Sequence, residues 1–136
     1  EFKPCNGEAT LAEGVTIGQQ TRTPFGFCYK TVLGNDEKKN DYGYKLHLVY
    51  GASASVSEKA YQTINDSPEA ITFSWDVTTT PVAVKGFKPT AILTIDSTTI
   101  AKEKLTKLED ILYGTEEAEP RLPLPDEIAE LINAAG

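Results

Sequence analysis

The sequence holds no Met, a single His, a single Trp and only two Cys in 136 residues. A complete translation product begins with Met, so the chain is expected to be a processed product, a designed sequence or a fragment. The two thiols, Cys5 and Cys28, have neither the density of a disulfide framework nor the Cys-x-x-Cys spacing of a metal or redox pair. They allow one disulfide between themselves or two free thiols. Cys28 lies in an aromatic, strand-like run, where a small buried thiol is the plainer expectation. No apolar run approaches the roughly 18 residues that cross a bilayer. Nor does the N-terminal stretch carry the basic segment, apolar run and cleavage site of a signal peptide. Basic residues are scarce as well, with 13 Lys and Arg against 20 Asp and Glu. That balance disfavours a grip on a phosphate backbone. The acids concentrate late: residues 1–100 carry 11 acids and 9 bases, residues 101–136 carry 9 acids and 4 bases.

What is present fits one domain. A chain of this size buries roughly 68% of its unfolded surface, enough for a core without staples. Residues 1–14 lack periodicity and are expected to form a loop or extended arm, followed by a short strand at Gly14–Gly18. Phe25–Leu33 alternates as a strand, with Phe25, Phe27, Tyr29, Thr31 and Leu33 on one face and Gly26, Cys28, Lys30 and Val32 on the other. Tyr44–Tyr50 alternates again, with Tyr44, Leu46, Leu48 and Tyr50 opposing Lys45, His47 and Val49. Between them Gly34–Gly43 reads as a polar loop, so the pair is expected to be a hairpin with a long projecting tip. Residues 51–69 read as a small, polar connection. Ala70–Thr78 is expected as a strand with Ile71, Phe73, Trp75 and Val77 on one face, Val82–Val84 as an edge piece, and Thr90–Asp96 as a further strand.

The period then changes. Leu105, Leu108, Ile111 and Leu112 recur at helical spacing, predicting a helix over Ala101–Tyr113 with Thr99 as N-cap and Gly114 past its end. Thr115–Glu119 is an acidic linker, and three prolines in Pro120–Pro125 favour an extended segment. Pro125 suits the first turn of a short helix carrying Ile128, Leu131 and Ile132. The fold class is therefore mainly β with α: an antiparallel β-sandwich or barrel, one flanking helix, and a C-terminal arm with a short helix. Residues 1–114 form the β-rich core with its helix at 101–113; residues 115–136 form the acidic, proline-containing arm.

Catalytic signatures are missing. His47, on the polar face of its strand, reads as a surface imidazole because no paired Ser or Cys motif accompanies it. There is no Gly-x-Ser-x-Gly, P-loop, dinucleotide fingerprint or His-Glu-x-x-His. The loop from Asn35-Asp36 to Asn40-Asp41 offers oxygens, but Lys38 and Lys39 sit between the acids and no bidentate Glu closes a calcium site. No cofactor is implied. The Phe25/Phe27/Tyr29 and Ile71/Phe73/Trp75 stripes are expected to be core rather than a ligand platform.

Several segments, in order along nearly the whole chain, share a pattern. They are Gly14–Gln20, Leu33–Asp36, Asn40–Gly51, Asn65–Trp75, Lys88–Thr90 with the strand leading to Thr98, Leu108–Gly114 and Leu122–Ile128. Together they resemble the major tail proteins of tailed bacteriophages and prophages. The resemblance implies a structural subunit of a long-tailed phage tail tube, found in the virion tail and assembled in the bacterial host cytoplasm. Such subunits form rings, commonly hexameric, that stack with other tail proteins into a conduit. DNA passes through it without specific binding, and no membrane is involved. An acidic balance suits such a conduit, because a basic lumen would retain DNA.

Members of that family begin well before the segment matching Glu1, so the chain is expected to be a C-terminal portion with an unpaired sheet edge. Relatives often carry Asp where this chain has Ala101, so the helix there is expected to be less well capped. The hairpin tip (Asn35, Asp36, Lys38, Lys39, Asn40, Asp41) and the arm (Glu116, Glu117, Arg121) are the expected inter-subunit contacts, being long and poor in core residues. The alternative is a carbohydrate- or receptor-binding β-sandwich on a virion or cell surface, which would need an exposed aromatic groove.

Overall fold

A computed structural model describes residues 2–37, 39–58 and 74–134. In chain order the elements are β1 (Ala9–Ala12), β2 (Val15–Ile17), β3 (Phe25–Asn35), β4 (Lys39–Glu58), β5 (Ser74–Thr79), β6 (Ile92–Asp96), α1 (Lys102–Tyr113) and α2 (Pro125–Asn133). The fold is mainly antiparallel β with two helices, the class expected. Among the described residues the strands form two open sheets, β1-β2 and β3-β4-β5 with β6 also on β4, and no closed barrel.

The chain divides into two compact units. One comprises Gly26–Gly51 and Thr80–Gly136. Its sheet is β3, the first part of β4, and β6, the last two antiparallel with Leu46 opposite Ile95 and Leu48 opposite Leu93. Alternation aims Leu46, Leu48 and Tyr50 at one face, where they form a single buried cluster with Ile95, Leu105, Leu108 and Ile128. Leu108 is fully buried, and a side chain of that size contributes about 1.5–3 kcal/mol by leaving water. Leu122, Leu131 and Ile132 pack against the cluster from the arm and α2. The arm is thus part of this unit: Pro123 is fully buried, the Tyr50 hydroxyl donates to its carbonyl at 2.9 Å, and the Arg121 amide donates to the Ile111 carbonyl at 2.9 Å.

The helix ends follow partly different rules from those expected. Residue Ala101, not Thr99, is the N-cap of α1, and no side chain caps it. The Thr99 hydroxyl instead donates to the Asp96 carbonyl at 3.1 Å. Helix α2 begins with Pro125 in its first turn, followed by Asp126 and Glu127 at the positive end of the helix dipole. Val82–Val84 extends into no strand; a single bridge, Val82 to Thr90, closes the turn between them.

The other unit comprises Glu1–Phe25 and Ala52–Thr79. The strand expected at Gly14–Gly18 is β2, and it forms a hairpin with β1 from the stretch expected as a loop or arm, Ala9 opposite Ile17. Residues 51–58, expected as a connection, continue β4 and pair with β5, Ala54 opposite Val77 and Ala52 opposite Thr79. The reason is visible in the sequence: Ala52 and Ala54 alternate with Ser53 and Ser55, a period of two carried by small side chains, and both alanines are buried. Trp75 and Val77, expected as core, are exposed. The Trp75 ring meets Phe2 edge-on at 5.9 Å, and its indole N–H donates to Asn6 Oδ1 at 3.3 Å. The rest of the expected 51–69 connection, and residues 70–73 of the next strand with Ile71 and Phe73, lie outside the described residues.

Candidate functional site

The candidate site is the face of the β3-β4-β6 sheet that points away from α1 and α2. Because Leu46, Leu48 and Tyr50 of β4 point inward, Lys45, His47 and Val49 point outward, and the register sets them beside Asp96, Thr94 and Ile92. Strand β3 adds Phe27, Tyr29 and Thr31. Tyr29 is 47% exposed and Phe27 36%, so this stripe is outward rather than core, correcting the expectation. Gly26 and Cys28 take the inward side for a packing reason. A Cβ at Gly26 would run into the Leu122 side chain and lie 3.2 Å from the Val49 carbonyl oxygen, and Cys28 packs against the buried cluster. The arm comes so close to β3 that only small residues fit beneath it.

His47 sits at the middle of this face. Its Nε2 lies 2.9 Å from Thr31 Oγ1 and its Nδ1 lies 3.1 Å from Thr94 Oγ1. One imidazole therefore ties the hydroxyls of both neighbouring strands. Its ring stacks on Tyr29, centroids 4.7 Å apart with 20° between planes, and Tyr29 stacks in turn on Phe27 at 6.3 Å. At one end Lys45 Nζ stands 3.7 Å from Asp96. The Asp96 carboxyl is held below its ordinary range, chiefly by hydrogen bonds from the Thr98 hydroxyl and amide and further by Lys45. The Thr31–His47 spacing is that of a nucleophile and base. Nδ1, however, meets a hydroxyl rather than a carboxylate, and the trio lies on an exposed sheet face rather than in a cleft. Among the described residues no three His, Cys, Asp or Glu side chains converge as metal ligands would.

Among the described residues β3 lies at the edge of this sheet. Among the described residues its one partner strand is β4, and it runs for 11 residues, about 36 Å at ~3.3 Å per residue. Val32, further along it, is exposed.

The expected contact residues lie elsewhere. The tip between β3 and β4 is much shorter than Gly34–Gly43, because β3 continues to Asn35 and β4 starts at Lys39. Polar residues keep strand geometry there because that end is solvated on both faces: Gly34, Asn35, Asp41 and Tyr42 are all exposed. Asn35 ends β3, Asp36 begins the exposed turn, and Lys39, Asn40 and Asp41 lie in β4. Lys38 lies outside the described residues. Glu116 and Glu117 are exposed in a bend after α1, where the Glu117 amide donates to Thr115 Oγ1 at 3.3 Å. Arg121 grips Glu127 with both guanidinium nitrogens, one at 2.8 Å, and that bond lowers the Glu127 carboxyl from its ordinary range. None of the described hydrogen bonds or ion pairs joins the hairpin end to the arm. Cys5 and Cys28 are free thiols, and burial pushes the Cys28 thiol upward.

Two groups that belong to the face went unread in the sequence: Thr94 and Ile92. Their signal was the register of β6 on β4, which no single-strand alternation contains. Comparison of the chain with family models, curated proteins and solved structures gives no match.

Proposed function

We propose that this chain is a structural subunit that works by self-assembly, as the tube-forming subunit of a long-tailed phage. The observation that carries the proposal is the apolar surface along β3, where Tyr29 and Val32 are exposed on a strand whose one partner strand among the described residues is β4. An edge strand with exposed apolar side chains is a template for pairing with a second chain, a liability that isolated domains blunt with charge, proline or bulges. Closing strands into a ring removes the edge altogether. The resemblance to tail-tube subunits supplies the stacked rings and the DNA conduit, and the net charge of −7 suits a passage through which DNA slides.

The test is sedimentation and electron microscopy of concentrated protein. Rings or tubes are expected, and Val32→Lys is expected to dissolve them by placing a charge on the edge. A protein that stays strictly monomeric at high concentration overturns the proposal.

A second reading, a carbohydrate- or receptor-binding module, is favoured by the Phe27–Tyr29–His47 stack, because sugar rings pack on aromatic faces beside hydroxyls. Glycan binding by a monomer, abolished by Tyr29→Ala, would select it.

A further inference from the structure

Asn6-Gly7 is the one Asn-Gly pair in the sequence. Such a pair carries a chemistry of its own, because glycine leaves the backbone nitrogen after the asparagine unshielded by a Cβ. That nitrogen attacks the side-chain carbonyl carbon of the asparagine. The new C–N bond closes a succinimide ring, and the side-chain nitrogen leaves as ammonia, taking the proton that the backbone nitrogen gives up. Water then opens the ring to aspartate or isoaspartate, according to which carbonyl it attacks.

The fold ties down both reacting groups. Asn6 Nδ2 donates to Glu8 Oε1 at 3.0 Å, and Asn6 Oδ1 accepts from the Trp75 indole N–H at 3.3 Å. The side-chain amide is therefore oriented toward these partners rather than free to turn onto the Gly7 nitrogen. That nitrogen donates its own proton to the Pro4 carbonyl at 3.3 Å. Gly7 is buried, with φ at +72° and the Gln20 carbonyl oxygen 2.8 Å from where a Cβ would stand. The Gly7 carbonyl accepts from the Gln20 amide at 2.9 Å. Trp75 is held in turn by Phe2, whose ring meets it edge-on at 5.9 Å and meets Phe25 at 5.4 Å. All of these residues belong to one compact unit.

Neither product fits the turn. Aspartate at position 6 has no N–H to offer Glu8, so two carboxylates face each other where a 3.0 Å hydrogen bond stood. Isoaspartate lengthens the backbone by one carbon, beside a buried glycine that the Gln20 carbonyl already boxes in.

We propose that Asn6-Gly7 is a latent self-modification site, latched by Trp75 and Glu8, which deamidates when the N-terminal segment opens and then cannot fully reclose. A reversible local opening becomes a permanent chemical mark. This site is separate from the β3 surface and does not rest on the self-assembly reading.

The experiment incubates the full chain in mildly alkaline buffer and follows conversion of residue 6 by peptide mapping with mass spectrometry. Native wild type is compared with wild type in urea and with Trp75→Phe and Tyr50→Phe, both checked for folding by circular dichroism. The unfolded chain is expected to convert fastest and the native chain far more slowly. Trp75→Phe keeps a ring but loses the indole N–H, and is expected to convert about 2- to 10-fold faster than native wild type, the worth of one hydrogen bond. Tyr50→Phe weakens the other compact unit and is expected to convert at the wild-type rate. Glu8→Ala, which releases the other end of the amide, stands in should Trp75→Phe fail to fold. Native protein converting as fast as unfolded protein overturns the latch, as does a variant without the indole or Glu8 that converts like wild type. Equal acceleration by Tyr50→Phe shows that whole-chain unfolding, not local opening, admits the reaction. An unfolded chain that does not convert overturns the site itself. For the product, Trp75 is the only tryptophan, so its fluorescence reports the turn directly. Asn6→Asp is expected to shift the emission to the red; emission identical to wild type shows that the turn recloses and overturns the permanent mark.

Discussion

The buried hydroxyl of Tyr50 donates to the carbonyl of Pro123 at 2.9 Å, tying the centre of β4 to the proline-containing arm. Removing it by Tyr50→Phe leaves that carbonyl without its partner in a site where Pro123 is fully buried. A loss of about 1–2 kcal/mol is expected in urea unfolding. An unchanged midpoint would show that water or a shift of the arm replaces the bond.

The same residue gives a pH prediction. Burial, with smaller contributions from the Cys28 and Glu127 charges, pushes the Tyr50 phenol up to about 12. Tyr44 rises to about 12 through burial and its bond to Glu109. Both pKa values lie above the ordinary one near 10, so the folded state holds protons that the unfolded state has released. Stability from these groups is complete below about pH 10 and is lost as pH rises toward 12. Of the six tyrosines, those two, with Tyr113, whose phenol burial also raises, are expected to develop the tyrosinate absorbance band late in an alkaline titration, and Tyr50→Phe should remove part of that late phase.

Gly51 marks the point where β4 passes from one compact unit to the other. Its φ is +57°, and a Cβ would collide with the Thr80 carbonyl oxygen, while the Thr80 amide donates to the Gly51 carbonyl at 2.9 Å. Gly51→Ala therefore meets both a left-handed backbone and a backbone clash. It is expected to cost about 1–3 kcal/mol; a neutral result in thermal unfolding would mean that the backbone relaxes there.

Helix α1 offers the opposite sign. Its N-cap, Ala101, provides no side-chain acceptor, so Ala101→Asp adds an acceptor for the amides of the first turn and a negative charge at the positive end of the helix. A gain of about 0.5–2 kcal/mol is expected, read as a raised unfolding midpoint.

Local periodicity made β3, the first part of β4, α1 and α2 legible, because each carries an amphipathic pattern of its own. The continuation of β4 through residues 51–58 was legible too, in Ala52 and Ala54 alternating with serines, but small side chains carry too little hydrophobic contrast for the pattern to stand out. The direction in which the β3 faces point was not legible from β3. It depends on where Leu122 packs, nearly a hundred residues away in sequence, and the only local trace was the smallness of Gly26 and Cys28. His47 was legible as a surface residue, but not as the link between Thr31 and Thr94, since strand register across the sheet is a long-range property.

That inversion of faces can be put to a direct test. If Phe27 and Tyr29 were core, Tyr29→Ser would cost about 3–5 kcal/mol, as large aromatic truncations in cores do, and an enlarged Cys28 would sit harmlessly in solvent. The structure reverses both. Tyr29 is exposed and contributes mainly its stack on His47 at 4.7 Å, so Tyr29→Ser is expected to cost about 1 kcal/mol. Cys28 packs against the buried cluster and lines the narrow space under Arg121 and Leu122, so Cys28→Phe overpacks it at about 1–3 kcal/mol. Urea unfolding of the two variants side by side decides the matter by their order: Cys28→Phe the more damaging places the aromatic stripe outward, where it is available to a partner, and the opposite order returns it to the core.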